Sequence, residues 1–366
     1  MIIASIDTFA LRIPLKAGSQ SDAAVWGDKN LPAADSLLVK VTTDEGLEGW
    51  GEAFGFRAVS SAKLAVNELI APLCVGQDAT QIAHLMLQVQ KKLHVFGRAG
   101  PLMYALSAVD IALWDIAGKA ANVPVHQLLG GGVAELERYA SLVRFSDPEL
   151  VRVNVRQALN AGFRGLKLHE IDSSAVRAAR EEAGTEIELM VDVNCPWTLI
   201  KARTKAEEWQ EFNLKWLEEP LWPPENFDGL ARLRETCGIP IAAGENVSTL
   251  MDFERLLAAG SVDFVQPSPA KMGGVSELRK VFPIAAVHNA SVMIHTFYDG
   301  PGLLAAIHTA AALGDADTMI EWRCFELEAQ LYGQALASER NRISVPQGPG
   351  LGIDPDPDVI RDYTVA

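Results

Sequence analysis

A lysine and a histidine stand two positions apart in the stretch RGLKLHE, residues 164–170, which otherwise has the apolar character of a buried β-strand. Alternate side chains of a strand share one face, so Lys167 and His169 look into one enclosed space while the neighbouring leucines point the other way. A single Lys-x-His pair most often lies at a solvated sheet edge. Its meaning therefore depends on what the rest of the chain places around it.

Three carboxylates end three further strand-like runs. Asp192 follows IELMV, Glu218 follows LKWL and Glu245 follows PIAAG. On consecutive strands of one sheet these carboxylates would converge, and in a dry pocket they repel strongly unless a cation neutralises them. Hard oxygen donors suit Mg²⁺, whereas zinc more often recruits His or Cys. The pattern predicts a Mg²⁺ site; three exposed acids, in a chain with 47 acidic residues, are the alternative.

Polar residues close seven such runs at a nearly constant spacing. In chain order they are Lys167, Asp192, Glu218, Glu245, Ser268, His295 and Glu321. The intervals between them are 25, 26, 27, 23, 27 and 26 positions. A repeated βα unit of this length predicts a parallel (β/α)8 barrel, whose chemistry lies at the C-terminal ends of its strands. A doubly wound open sheet is the alternative fold, but it usually carries a G-x-G-x-x-G turn, and this chain has none.

The N-terminal region has a different pattern. Residues 1 to about 55 alternate like antiparallel strands with a hairpin turn at 44–46, and the helical pattern that follows ends in YALSAVDIALWDIAGK, closed by Gly118. Because 366 residues exceed the size over which one core keeps growing, two domains are expected. We predict an α/β fold in which residues 1–120, joined by a C-terminal segment from about 335 to 366, form an α+β domain and residues 121–334 form the barrel.

Composition limits the expected partners. The formal net charge of −15 argues against nucleic acid and anionic membranes, so a small molecule is the expected partner. Four cysteines without Cys-x-x-Cys spacing indicate neither a disulfide scaffold nor a zinc cluster, which is typical of a reducing cytoplasm. The sequence shows no signal-peptide pattern and no run of ~18 apolar residues, so a cytoplasmic protein without a membrane span is predicted.

Several short motifs fall on successive predicted elements. They are SAVDIALWDIAGK at 107–119 before the barrel, KLH on the second barrel strand, DVN on the third, EEP on the fourth, GEN on the fifth, KMGG after the sixth and His295 on the seventh. This set resembles the enolase superfamily, and specifically its mandelate racemase-like branch. The resemblance implies a modified (β/α)8 barrel with an N-terminal capping domain. It also implies Mg²⁺ held by Asp192, Glu218 and Glu245, and removal of the proton α to a substrate carboxylate to give a metal-bound enediolate.

The resemblance also assigns roles to the remaining residues. Lys167 would lie close to the substrate carboxylate and lower the proton affinity of His169, which occupies the place of the base in the family pattern Lys-x-Lys. Glu321 resembles the eighth-strand acid that donates a hydrogen bond to the substrate carboxylate. Asn194, Ser268 and Lys271 would contact the substrate.

Two positions depart from the family pattern. The second lysine of Lys-x-Lys is His169, and Ser268 stands where many relatives have an aspartate that orients the seventh-strand histidine. A serine cannot stabilise an imidazolium as a carboxylate does, so His295 is expected to be a weaker base or only an acid. His288 and His308 fall in helix-like segments and are expected to be structural.

The leading functional hypothesis is a Mg²⁺-dependent lyase that dehydrates an acid sugar or related hydroxy acid. The alternatives are a racemase or epimerase, which needs bases on both faces of the substrate, and a metal-bound barrel without activity that serves as a binding or assembly protein. The resemblance implies a homo-oligomer. It also places substrate selection in loops 17–30 and 52–60, and we expect the first to close over the ligand. Candidate selecting residues are Trp26, Asp28, Lys29, Phe54, Phe56 and Arg57.

Overall fold

The computed structural model describes residues 1–16, 32–336 and 341–365, together with the backbone of residues 25–26 and 29–30. Apart from that backbone, the predicted closing loop, 17–30, lies outside the described residues, and so do the side chains of Trp26, Asp28 and Lys29.

An antiparallel sheet and a set of helices form the N-terminal region. Its strands are β1 (Ile3–Pro14), β2 (Val25–Trp26), β3 (Lys29–Asn30), β4 (Ala33–Thr43) and β5 (Glu48–Ala53). Its helices are α1 (Val59–Leu64), α2 (Ala71–Cys74), α3 (Ile82–Lys92), α4 (Pro101–Ala121) and α5 (Val125–Leu128). Strand β4 pairs with β1 and β5, and a turn at residues 44–46 joins β4 to β5, as the alternating pattern predicted.

Helix α4 is the central element of this region. By length and composition it could cross a membrane, but 78% of its apolar window is buried inside the protein, which is typical of a core helix. The prediction that Gly118 closes this helix was wrong. The helix continues to Ala121 and ends at Asn122, which has a φ of 55°. Gly118 instead allows the backbone at Gly350 to pack closely against α4, because a Cβ at position 118 would lie 2.6 Å from the Cα of Gly350.

Eight parallel strands form the barrel. They are β6 (Glu135–Ser141), β7 (Gly165–Leu168), β8 (Glu188–Asp192), β9 (Trp216–Glu218), β10 (Ile241–Ala243), β11 (Phe264–Val265), β12 (Ser291–Val292) and β13 (Met319–Arg323). The helices that follow the first seven are α6 (Pro148–Asn160), α7 (Ser173–Ala183), α8 (Leu199–Trp209), α9 (Phe227–Cys237), α10 (Leu250–Ala258), α11 (Gly274–Val287) and α12 (Pro301–Leu313). This alternation confirms the predicted barrel.

The sheet order shows how the barrel closes. Neighbouring strands pair in parallel from β6 to β12, and β13 pairs with β6. Thr296, just beyond β12, donates its hydroxyl to the backbone oxygen of Glu321 at 2.6 Å and so links β12 to β13. The last unit is modified. After β13 the chain forms the short antiparallel strand β14 (Arg342–Ser344), which pairs with β6, and then α13 (Pro357–Tyr363).

Local capping places the barrel helices. Asp147 accepts hydrogen bonds from the backbone N–H groups of Glu149 and Leu150, at 2.8 and 3.1 Å, and Pro148 occupies the first helical position of α6. This capping pattern is the one expected at the N-terminus of a helix. It begins α6 in the loop that follows β6, the first barrel strand.

Four buried titratable side chains join the N-terminal region to the barrel, and we call Asp110, Asp115, His126 and His308 the seam group. Asp110 accepts from the N–H of Ser276 in α11 at 3.0 Å. Asp115 accepts from the N–H groups of Trp50 and Leu351, at 2.9 and 2.7 Å. The Nδ1 atoms of His126 and His308 lie 3.1 Å apart. His288 is exposed, and His308 is buried in α12, so both histidines lie in helical surroundings as expected.

Candidate active site

The ends of β8, β9 and β10 bring the three predicted metal ligands together. One carboxylate oxygen from each of Asp192, Glu218 and Glu245 lies within 4.8 Å of the others. Asp192 and Glu218 are buried, and the side chain of Glu245 is 15% exposed. The short polar ends of consecutive parallel strands meet at one rim of a barrel, which is why residues 26 and 27 positions apart become neighbours.

Each of these carboxylates has at least one oxygen in contact with a donor of the protein. Asp192 Oδ1 accepts from the N–H of Asn194 at 2.9 Å, Glu218 Oε2 accepts from Nε1 of Trp216 at 2.8 Å, and Glu245 Oε2 lies 2.7 Å from Nε2 of His295. Asp192 Oδ2 is buried and makes no well-formed hydrogen bond. A buried carboxylate oxygen that no donor satisfies is costly unless a cation neutralises it. Three converging hard oxygen donors therefore fit a divalent cation of the Mg²⁺ type.

Charges within the site set the protonation of these acids. Burial raises the pKa of Glu218 to about 7, against the opposing effect of Lys167. Burial also opposes ionisation of Glu245, but the charges of His295 and Lys271 hold its pKa well below the usual value. For Asp192, His169 and Lys167 outweigh burial and lower the pKa. Asp192 and Glu245 are therefore ionised at neutral pH and can act as ligands of a cation.

Lys167 projects from β7 into the middle of these acids. Its Nζ lies 2.7 Å from Glu321, 2.8 Å from Glu218 and 3.7 Å from Asp192, and the side chain is fully buried. Burial alone would lower the pKa of Lys167, but Glu218 and Glu321 raise it well above the ordinary value. The enclosed space inferred from the RGLKLHE pattern is present, and Lys167 is a fixed cation within it.

His169 stands just beyond the end of β7, on the same side as Lys167. Its Nδ1 lies 2.5 Å from the backbone oxygen of Leu142, and a carbonyl can only accept, so Nδ1 carries a proton. Its Nε2 lies 3.4 Å from Asp192 Oδ2 and is the atom that can exchange a proton within the site. Lys167 was expected to keep this imidazole neutral, but other groups also shift its pKa. Burial and Lys167 lower the pKa of His169, but Asp192 outweighs both and raises it.

His295 approaches from the opposite side of the triad, three positions beyond β12. Its Nε2 contacts Glu245, and its buried Nδ1 has no hydrogen-bond partner among the described residues. The hydroxyl of Ser268, which stands in the place of the expected aspartate, bonds to the hydroxyl of Tyr298 at 3.1 Å. Tyr298 in turn donates to the backbone oxygen of His295 at 2.9 Å. Ser268 therefore supports the backbone of His295 through Tyr298 and leaves its imidazole without a carboxylate at Nδ1.

Toward the described residues Glu321 is a hydrogen-bond acceptor, and its expected donation to the substrate carboxylate stays a prediction. It accepts from Ser141 at 2.8 Å, from Lys167 and from the N–H of Thr296 at 3.0 Å. Burial opposes its ionisation, but Lys167 and His295 lower the pKa of Glu321 to about 2. In this arrangement Glu321 is an ionised acceptor that holds Lys167, because a carboxylate without a proton cannot donate.

The predicted substrate-binding residues lie around the same mouth. The side-chain oxygen of Asn194 accepts from Arg144 at 3.3 Å. The ammonium of Lys271 lies 3.6 Å from Glu245 and 4.7 Å from the ring centroid of Phe54. Phe54, from loop 52–60, thus reaches the site, and its N–H also donates to the backbone oxygen of Ala270 at 3.0 Å.

The other two candidate selecting residues of that loop, Phe56 and Arg57, point elsewhere. Phe56 and Arg57 line a cavity of about 730 Å³ on the N-terminal region, together with residues of β1 and α1. None of its lining residues belongs to the triad, so this cavity is separate from the predicted chemistry.

Three residues of the site were missed by the sequence patterns. Ser141 ends β6 and lies 26 positions before Lys167, so extending the period by one step would have found it. Trp216 falls in the apolar run LKWL, which carries no functional signal by itself. Glu219 had no predicted role, but it has a φ of 46° and turns beside the triad, where Asn246 donates to it at 2.7 Å.

Comparison with known proteins agrees with this geometry. A family model described as Enolase C-terminal domain-like matches residues 150–359, and one described as Mandelate racemase / muconate lactonizing enzyme, N-terminal domain, matches residues 30–130. An arabinonate dehydratase from Saccharolobus solfataricus is 28% identical over 89% of this chain and 90% of its own. A D-galactarolactone cycloisomerase from Agrobacterium fabrum is 30% identical over the same two shares. A solved structure of a racemase from Streptomyces coelicolor with bound magnesium has a TM-score of 0.86, at 28% identity over 99% of this chain and 100% of that one.

Proposed function

The chain belongs to the mandelate racemase / muconate lactonizing enzyme family of the enolase superfamily, and we propose that it is a Mg²⁺-dependent lyase that dehydrates an acid sugar or a related hydroxy acid. The observation that carries the proposal is the carboxylate triad, with His169 on one side and His295 on the other. The acid-sugar dehydratase and cycloisomerase among its relatives support this substrate class.

Asp192, Glu218 and Glu245 are the residues that would hold the metal. A proton beside a carboxylate is very weakly acidic, and a bound Mg²⁺ supplies positive charge that offsets the negative charge left by its removal. Lys167 adds a second fixed cation. Because its pKa is raised, Lys167 remains protonated and acts by its charge rather than as a base. Glu321 accepts a hydrogen bond from Lys167 and holds it in place, and Ser141 donates to Glu321 and holds that carboxylate in turn.

We assign proton abstraction to His169. The hydrogen bond from Nδ1 to Leu142 fixes the tautomer, so Nε2 presents its lone pair to the site when the imidazole is neutral. Asp192 is the group that raises the pKa of this imidazole. When the charge of Asp192 is shared with a cation, burial and Lys167 both favour the neutral form that abstraction requires.

We assign proton donation to His295. Its Nε2 lies within hydrogen-bond distance of a carboxylate oxygen, which can only accept, so Nε2 carries the proton that faces the site. The leaving β-hydroxyl needs such a proton to depart as water. Abstraction of the α-proton by His169 and donation by His295 then add up to loss of one water molecule, and the enol product becomes a 2-keto acid.

The second candidate is a racemase or epimerase, and the placement of imidazoles on two sides of the triad favours it. A two-base reaction would need His295 to accept a proton as well as to donate one. Its Nδ1 has no carboxylate partner among the described residues, which makes this a weaker fit than dehydration. A barrel without activity that binds or assembles is the remaining alternative, and it gives no reason for the paired imidazoles.

Two further properties belong to this proposal. We propose a cytoplasmic protein, on the basis of its four free cysteines and the metabolic enzymes to which it is similar. We also propose a homo-oligomer, as the resemblance to the enolase superfamily implies.

The test is a screen of mono- and diacid sugars for 2-keto acid formation with Mg²⁺, each run in parallel with excess chelator. Dehydration predicts keto acid from at least one substrate and none with chelator. Exchange of the α-proton with no keto acid, and with deuterium in both stereoisomers, would replace the lyase by the racemase. Absence of both reactions across the library would favour the binding protein.

A further inference from the structure

Trp216 connects the interior of the barrel to the predicted metal site. It lies two residues before Glu218 on β9, so both side chains point to the inner face of the barrel. The indole is fully buried, and its Nε1 donates to Glu218 Oε2 at 2.8 Å. The hydrogen bond leaves Glu218 Oε1 as the oxygen that faces Lys167 and the other acids.

The indole has little freedom to move. Tyr139 packs its ring edge against it with centroids 5.7 Å apart, and Phe264 packs on it at 5.0 Å. Met190, Ala242, Met293 and Met319 complete this apolar layer beneath the site. Close-packed layers of this kind hold side chains in single rotamers. The direction of the Nε1–H bond is therefore set by the core of the barrel rather than by the site.

The donors that orient the other two carboxylates differ in kind. A backbone N–H, from Asn194, holds Asp192, and a histidine with a proposed catalytic role holds Glu245. Trp216 differs from both, because it is a rigid side-chain donor that lies beneath the site and does not contact the substrate side. Its contribution can thus be separated from chemistry by mutation.

We propose that Trp216 is a positioning residue that sets the Mg²⁺ affinity of the site by fixing the carboxylate of Glu218. The proposal rests on the proposed use of Mg²⁺. Without the indole N–H, Glu218 Oε2 loses its donor in a fully buried position, and the carboxylate can rotate away from the orientation in which Oε1 points at the other ligands. Losing an orienting hydrogen bond of this type costs metal sites about 10- to 100-fold in affinity.

The chain supplies a matched control in Trp209. It is also fully buried, and its Nε1 also donates a single hydrogen bond, at 2.9 Å, but to Ser173 on the outer helices of the barrel. Trp216→Phe and Trp209→Phe therefore remove the same atoms and the same type of bond, one beneath the triad and one away from it.

The experiment measures Mg²⁺ binding by calorimetry to chelator-treated protein without substrate, for the native chain and both variants. We expect Trp216→Phe to weaken binding about 10- to 100-fold and Trp209→Phe to change it less than about twofold. The rise in Tm on adding a fixed Mg²⁺ concentration should shrink in the first variant and persist in the second. If the phenylalanine variant does not fold, Trp216→Met fills the same layer with a flexible apolar side chain and gives the same comparison.

Three outcomes would overturn the proposal. Equal Mg²⁺ affinity in Trp216→Phe and the native chain would remove the role of Trp216 alone and leave the proposed function intact. Equal losses in the two variants would show a general effect on packing. A native chain that does not bind Mg²⁺ would overturn the positioning role and the metal-dependent function together.

Discussion

Two groups of buried titratable residues occupy different parts of this molecule. The mouth group consists of Lys167, His169, Asp192, Glu218 and Glu245 at the ends of barrel strands, and the seam group was defined above. In the mouth group charged side chains contact other charged side chains. A buried carboxylate oxygen without a hydrogen-bond donor occurs in both groups, at Asp192 and at Asp110. In the seam group the carboxylates accept from backbone N–H groups of other elements.

The difference shows that burial and residue type do not identify a functional site. Asp115 in α4 and Asp192 in β8 are both aspartates with about 1% exposure. Asp115 has its charge satisfied by Lys119 and two N–H donors, so it stabilises the contacts of α4 with β5 and with the C-terminal segment. Asp192 lies among like charges at the C-terminal end of a barrel strand, and this placement points to chemistry. Variants of the mouth group should therefore lose activity and keep stability, whereas variants of the seam group should lose stability and keep activity.

The largest expected effect is loss of activity in Glu245→Gln. Stabilisation by a bound cation is worth several kcal/mol, so activity should fall by about 1,000-fold or more. Mg²⁺ binding should also be lost, while the Tm is kept or raised because repulsion among the acids is relieved. The control is Asp110→Asn in the seam group, which should retain activity. Full activity of Glu245→Gln in excess chelator would contradict the metal site.

The next effect separates the two histidines of the site. Replacing His169 by Asn should remove both product formation and exchange of the α-proton with solvent deuterium, because it removes the base. Replacing His295 by Asn should block product formation yet leave slow exchange, because abstraction no longer leads to loss of the hydroxyl. Each loss should be about 100- to 10,000-fold. The reverse pattern, followed by NMR of recovered substrate, would exchange the two assignments.

The barrel and the positions of its site residues could be predicted because strand ends repeat at a regular interval. The first strand was missed because ELERYAS is rich in charge. Its Arg138 is nonetheless buried, with the guanidinium 4.5 Å from the ring centroid of Phe163 and 4.6 Å from that of Trp322. A pattern of residue types cannot show that rings from distant segments will cover a cation.

The partners of each site residue were also beyond prediction. The resemblance assigns Glu321 a donor role, but the bonds that it accepts come from residues 25 and 180 positions away and could not be read from the sequence. The family pattern places Ser268 beside the imidazole of His295. Its hydroxyl instead bonds to Tyr298, which donates to the backbone oxygen of His295. Such contacts depend on how strands and loops pack in three dimensions. A single sequence does not show which distant residues this packing brings together.

A seam variant should lose stability and keep activity. In Asp115→Asn the amide cannot accept from both N–H donors, and Lys119 loses a partner at 2.9 Å. We expect the free energy of unfolding to fall by about 3 kcal/mol, measured by urea denaturation, with little change in specific activity under native conditions. Asp354→Asn is the control. It removes the exposed carboxylate that contacts the same lysine at 2.6 Å, and it should cost less than about 1 kcal/mol.

The smallest expected effect is a pH dependence of stability that comes from the seam. His308 donates from Nε2 to the backbone oxygen of Leu351 at 3.0 Å, and its Nδ1 faces the N–H of His126 at 3.3 Å, so a second proton on Nδ1 would meet a donor. Burial lowers the pKa of His308 from 6.5 to about 4. Between these values the unfolded chain binds the proton and the folded chain does not, so stability is complete above pH 6.5 and declines as the pH falls toward 4.

The size of this effect is about 2 kcal/mol of unfolding free energy lost between pH 8 and pH 5. Other buried groups titrate in the same range. Asp110, whose pKa burial raises to about 7, acts with the opposite sign, so the quantity to measure is the difference between the native chain and His308→Gln at each pH. That difference should narrow as the pH falls, whereas the exposed-site control His288→Gln should follow the native chain throughout. A constant difference across the range would show that His308 stabilises the seam by packing alone.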